Sequence, residues 1–151
     1  MKINENIIVG NTGFKINEKN YAMVFYQNTT TSGAKWAYTP FKASSGWAKG
    51  EKISYNDGNV IIKEARTVRI NVKMTITDNS YNYQNDIVLH NNGDFYDFKF
   101  DNARDYYISN FIITKDKVSD WNINLRKYTG TEIDTLITSN TLNYMSVEVI
   151  D

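Results

Sequence analysis

The sequence contains no cysteine. That excludes a disulfide framework and any thiolate metal site. Histidine occurs once, at His90, which excludes a multi-histidine metal centre and leaves little room for a Ser-His-Asp arrangement. Proline also occurs once, at Pro40. Charge of one sign is missing too: 17 basic residues balance 17 acidic ones, whereas a nucleic-acid partner calls for a basic excess or stripe. No apolar run approaches the ~18 residues of a membrane span, so membrane insertion is not expected. The opening stretch, MKINENIIVGNTG, lacks the apolar core of a secretion signal.

What is present is the composition of a globular domain. The 151 residues are 41% hydrophobic and 23% charged, enough apolar chain for one core and too much for disorder. Asn, Ile, Lys and Tyr are abundant, and Lys outnumbers Arg 13 to 4. All four abundant residues have AT-rich codons, which points to a low-GC bacterium or its phage.

Alternation of period two dominates the chain. In TVRINVKMTIT, Val68, Ile70, Val72, Met74 and Ile76 share one side, and Thr67, Arg69, Asn71, Lys73 and Thr75 share the other. This is a strand with one face on a core. YAMVFYQN reads as a buried strand, and NVIIKE follows a tight turn at Asp57-Gly58. DIVLHNNGDFYDFKF reads as a hairpin turning at Asn92-Gly93. YYISNFIITK and WNINLRKY read as two strands separated by a polar turn. YMSVEVI ends the chain with Met145, Val147 and Val149 on one face. No segment holds helical periodicity for three turns. WAYTPFKASSGWAKG, rich in Gly, Ser and Lys around Pro40, reads as an exposed loop.

Chemistry-bearing residues are sparse. Asp86, Asp94, Asp97, Asp101 and Asp105 could offer oxygen ligands to Ca²⁺, but their spacing matches no calcium loop, and solvated turns explain them. No metal or cofactor is therefore expected. His90, beside the Asn92-Gly93 turn, is expected to make a turn-side hydrogen bond. The aromatics, 3 Trp, 11 Tyr and 7 Phe, are more suggestive. Trp36, Tyr38 and Trp47 lie in or beside the Pro40 stretch, and Tyr81 and Tyr83 lie in the polar segment DNSYNYQND. Sugars bind on aromatic faces flanked by amides and carboxylates, because their C–H faces are apolar and their edges need hydrogen bonds. These five are the candidate saccharide-binding residues. Burial in a core or an interface is the plainer alternative for each ring.

Two segments carry a resemblance. The last third, YYISNFIITKDKVSDWNINLRKYTGTEIDTLITSNTLNYMSVEVID, and GNVIIKEARTVRINVKMTIT upstream resemble the tumour necrosis factor-like and complement-type jelly roll. More closely, they resemble the C-terminal head domains of phage tail fibre and baseplate receptor-binding proteins with that fold. Where those heads carry an aromatic-glycine lead-in to the long strand, EARTVRI stands here. The resemblance implies an all-β, jelly-roll β-sandwich of two antiparallel sheets, assembled as a homotrimer. Residues 1–20 would form an arm or neck and residues 21–151 the head.

In such jelly rolls the last strand lies in the inner sheet, between the first strand and the long alternating one. The inner sheets face the threefold contact. The trimer interface would then include Arg69, Lys73, Tyr144, Ser146 and Glu148, with Glu148 paired to Arg69 or Lys73 because an unpaired charge there is costly. The function implied is non-catalytic attachment of a phage to its host. The partners are other copies of the chain, host cell-wall polysaccharide, and other tail or baseplate proteins. The protein would be made in the bacterial cytoplasm and carried on the virion at the phage tail tip. The alternatives are a monomeric carbohydrate-binding module of a secreted bacterial enzyme and a purely structural trimerisation knob.

Overall fold

The structure is a computed structural model that describes residues 19–33, 37–78, 86–97, 106–129, 134–138 and 142–150. Eleven strands are described: β1 (Tyr21–Phe25), β2 (Thr30–Gly33), β3 (Ala37–Pro40), β4 (Ser45–Lys49), β5 (Ile53–Asn56), β6 (Asn59–Asp78), β7 (Asp86–Asn91), β8 (Asp94–Asp97), β9 (Tyr106–Thr129), β10 (Asp134–Thr138) and β11 (Tyr144–Val149). All the pairings among them are antiparallel.

Two long strands organise the molecule. The second half of β6 pairs with β11 on one edge and with the first half of β9 on the other, giving a first layer in the order β4-β1-β11-β6-β9. The first half of β6 pairs with β5, and the second half of β9 pairs with β7, which pairs with β8. With β3 on the end of β9, these form the second layer. Because β6 and β9 run through both layers, the hydrogen-bonded ladder is continuous between them.

The crossing point is visible as two register shifts, between Ile62 and Ala65 and between Ala65 and Thr67. Bulges of this kind bend a strand and sharpen its twist. Glu64 adopts φ 54° there, and its N–H donates to Asp120 Oδ1 at 3.1 Å. Lys63 Nζ reaches the other oxygen of the same carboxylate at 3.0 Å. Trp121 fixes the inside of the bend by donating its indole N–H to the Ala65 carbonyl at 3.0 Å. EARTVRI, the segment without the aromatic-glycine lead-in, is where this bend falls.

The core lies between the layers. Val68, Ile70, Val72 and Met74 of β6 are buried, as the alternation requires, with Met145 and Val147 of β11 and Trp121, Ile123 and Leu125 of β9. The terminal strand β11 sits between β1 and β6, so neither of its edges is free to pair with another chain. Both two-residue hairpins form where the turn residues indicate: Asp57 and Gly58 at φ 44° and 84°, Asn92 and Gly93 at φ 49° and 97°.

Two expectations are corrected. YYISNFIITK and WNINLRKY are not separate strands: β9 runs through both, and the polar residues between them belong to the bulged crossing. The Pro40 stretch is not an open loop either. Residues 37–40 pair with the end of β9, with Pro40 as the last residue of the strand, where a missing N–H matters least. Residues 45–49 pair with β1 along its free edge.

Candidate functional site

Two outward faces carry the exposed chemistry, one on each layer. On the first layer, strand register sets three rows across β4, β1, β11, β6 and β9. One row reads Lys49, Tyr21, Glu148, Arg69 and Ile112. The next reads Trp47, Met23, Ser146, Asn71 and Asn110. The third reads Ser45, Phe25, Tyr144, Lys73 and Ile108. The five residues expected at a trimer interface, Arg69, Lys73, Tyr144, Ser146 and Glu148, therefore share one face.

Arg69 Nη1 bonds Glu148 Oε1 at 3.2 Å. Lys19 Nζ lies 3.6 Å from the other oxygen of that carboxylate. The expected pairing of Glu148 is thus made with Arg69 and not with Lys73. Beside it, Asn110 donates to Asn71 Oδ1, and Asn71 donates to Ser146 Oγ at 3.3 Å. This amide chain lies in the floor of a groove of about 710 Å³ flanked by Tyr21, Phe25, Tyr144, Ile108 and Leu142. Ile108 and Ile112 are 62% and 59% exposed on this face, and Trp47 is 47% exposed. Ile108 and Ile112 lie on β9 at one edge of this layer, and Trp47 lies on β4 at the other.

On the second layer the side chains facing away from the core are Val88 and His90 of β7, Phe95 of β8, Asn124 and Arg126 of β9, and Tyr38 of β3; of these Val88, His90 and Asn124 are buried, Arg126 is half-buried, and Tyr38 and Phe95 are exposed. Tyr38 and Phe95 stack with ring centroids 4.2 Å apart, although β9 and β7 lie between their strands. His90 lies against Phe95 at 4.9 Å. Both stacked rings keep about two-fifths of their surface open, at 40% and 42%. Beneath them a relay of side chains runs outward. Asn59 donates to the carbonyls of Asn56 and Asp57 in the β5–β6 turn, and accepts from Asn124 Nδ2 at 2.8 Å. Asn124 Oδ1 in turn accepts from Arg126 Nε at 3.0 Å.

His90 Nε2 accepts the Gly93 N–H at 3.0 Å, the turn-side bond the sequence suggests. Burial and then the Arg126 charge push the His90 pKa below its ordinary value, while Asp94 opposes them.

The candidate sugar-binding aromatics do not form one cluster. Tyr38 belongs to the second layer, whereas Trp47 belongs to the first, where it packs against Tyr21 at 5.8 Å. Trp36, Tyr81 and Tyr83 lie outside the described residues. Phe95, the partner of Tyr38, escapes a sequence reading because its position in the β7–β8 hairpin gives no hint of a contact across two strands. Among the described residues no three potential metal ligands converge. Asp101 and Asp105 lie outside those residues.

The fold is that of a tumour necrosis factor-like jelly roll. Murine APRIL matches with a TM-score of 0.59 and 10% identity, over 88% of this chain and 100% of the other. The Eiger TNF of S. frugiperda matches at 0.57 and 10%, over 89% and 94%. Pika GITRL matches at 0.52 and 12%, over 88% of this chain and 98% of the other. At such low identity the jelly roll is what these structures share with this chain. No family model and no curated protein matches the sequence.

Proposed function

We propose that this chain is the non-catalytic receptor-binding head of a phage tail fibre or baseplate. It assembles as a homotrimer through the outward face of the β4-β1-β11-β6-β9 layer and attaches the virion to saccharide on the host surface. The observation that carries the reading is that face. An inner sheet with Ile108 and Ile112 more than half exposed, a groove with aromatic walls and an internally neutralised charge pair suits contact with its own copies better than contact with water. Burying an isoleucine side chain contributes about 1.5–3 kcal/mol. Part of that gain is offset by the freedom lost on association.

Trimer geometry gives weak saccharide sites their strength. Three identical sites on one head raise avidity by roughly 10²–10⁴ without any new contact. Such attachment needs no bond-making chemistry, so the reading assigns no catalytic residues. Assembly in the bacterial cytoplasm and carriage on the tail tip follow from the same reading, as does contact with neighbouring tail or baseplate proteins.

Light scattering on the purified chain tests the assembly. A mass of three chains supports the head. A monomer at micromolar concentration removes the trimer and leaves the second reading, a monomeric carbohydrate-binding module. The Tyr38–Phe95 stack favours that second reading in one respect: it lies on the opposite layer and needs no second copy. A stable trimer that adsorbs to no cell and binds no glycan would instead be a structural knob.

A further inference from the structure

We propose that the outward face of the second layer, at the Tyr38–Phe95 stack, binds an acidic saccharide: a pyranose ring bearing a carboxylate or phosphate. The inference rests on the reading of the chain as a saccharide-attaching head and gives that function a location and a ligand class.

Three features converge on it. The first is the platform. Tyr38 and Phe95, brought from strands with two others between them, present two half-open rings stacked at 4.2 Å and tilted by only 29°. The apolar C–H face of a pyranose packs on such a surface. The second is a held cation. Arg126 donates Nε to Asn124, which is anchored to Asn59, which is anchored to the β5–β6 turn. This relay holds the guanidinium through Nε and makes no use of its two Nη groups, and no ion pair reaches it among the described residues. A preorganised, unpaired arginine fork matches an anionic group through two parallel hydrogen bonds.

The third is proximity. The hydrogen bond to Asn124 draws the Arg126 side chain towards the His90–Phe95 row. The charge is near enough to His90 to depress its basicity. The cation therefore stands beside the aromatic platform, and an acidic sugar satisfies both at once. A neutral sugar would use the rings and leave the guanidinium without its counter-charge.

The test uses the isotope-labelled chain in its native assembly, titrated by NMR with oligogalacturonate, phosphomannan and maltoheptaose. The expected result is that one or both acidic saccharides move the amides of residues 38–40, 94–96 and 124–126, while maltoheptaose does not. Which acidic saccharide binds separates carboxylate from phosphate. Arg126→Gln should weaken binding about tenfold or more, the loss of a charge-assisted fork. Tyr38→Ala and Phe95→Ala should each weaken it on the order of tenfold, and Tyr38→Phe should bind as the parent does. Using both alanine variants guards against local loss of the β7–β8 hairpin, because Tyr38 is on a different strand.

Equal binding of maltoheptaose, shifts confined to the first layer, or unchanged affinity in Arg126→Gln would each overturn the proposal. Adsorption to bacterial cells separates the two levels of inference. Wild-type and Arg126→Gln heads that adsorb equally sink this site and leave the head function standing. A wild-type head that adsorbs to no cells and binds none of the three saccharides sinks both.

Discussion

His90 holds the β7–β8 turn with a nitrogen that must stay unprotonated. The Gly93 N–H can only donate, so Nε2 accepts and the neutral ring carries its proton on Nδ1. Burial and Arg126 lower the folded-state pKa below 6.5, so the native state favours the neutral ring more than the unfolded chain does. The stability this contributes is fully present above about 6.5, the ordinary histidine value. It is lost as pH falls through the lower folded value. As the chain's one histidine, His90 gives that window a clear assignment. Urea unfolding between pH 7.5 and pH 5 should show stability falling with acid, and His90→Gln should flatten the slope. Tyr26 makes a contrasting case. Its ring is wholly buried, and its hydroxyl has no partner among the described residues. Burial pushes its pKa far up, with Tyr55 adding to the effect. Removing a buried, unsatisfied hydroxyl should be neutral or stabilising, so Tyr26→Phe is expected to raise the unfolding free energy by up to about 1 kcal/mol. A loss of more than that would mean the hydroxyl has a bonded partner in solution.

Elements were legible where the side-chain period was strict. β6 alternates residue by residue from Thr67 to Thr75, β11 less strictly because Ser146 is buried between Met145 and Val147, and the Asp57-Gly58 and Asn92-Gly93 turns form their hairpins. The crossing between layers was not legible, because a strand that changes layers must break its own period. Residues 115–120 are polar except for the exposed Val118, since the bend carries them past the edge of the core, and polarity in sequence reads as a turn. β3 and β4 were hidden by Pro40 and by their short, half-exposed rows. β2 and β10 are four and five residues long, too short to alternate distinctly. The bend itself makes a prediction. Glu64 occupies the left-handed region at φ 54°, which disfavours residues with a Cβ by about 1–2 kcal/mol. Its N–H is held by Asp120, whose carboxyl sits below its usual range, chiefly because of the Lys63 hydrogen bond and then the Glu64 N–H. Glu64→Gly keeps that N–H and removes the Cβ, so thermal unfolding should show a gain of roughly 0.5–1 kcal/mol. Asp120→Ala removes both bonds and should lower the midpoint of thermal unfolding.

At the scale of the whole molecule, the two faces differ in how far sequence could reach them. The polar row of the long strand named Arg69 and Lys73, and its register with the last strand followed from the jelly-roll resemblance, so the Glu148 contact could be expected. The Tyr38–Phe95 stack could not, because it joins positions more than fifty residues apart through side chains alone. The same face-level logic gives the most direct prediction about assembly. Ile108 and Ile112 are 62% and 59% exposed in the single chain, so their substitution should change the isolated fold by no more than about 0.5 kcal/mol. In a trimer that buries this face, Ile108→Lys with Ile112→Lys would bring like charges, opposite Lys73 and Arg69 on β6, into the contact, where unpaired charge is strongly unfavourable. The expected outcome is a chain with unchanged secondary structure and a solution mass reduced from three chains to one. Its affinity for acidic saccharide should be unchanged per site, because the Arg126 face lies on the other layer, while its adsorption to cells should fall with the lost avidity. A double variant that stays trimeric would assign the threefold contact to a different surface.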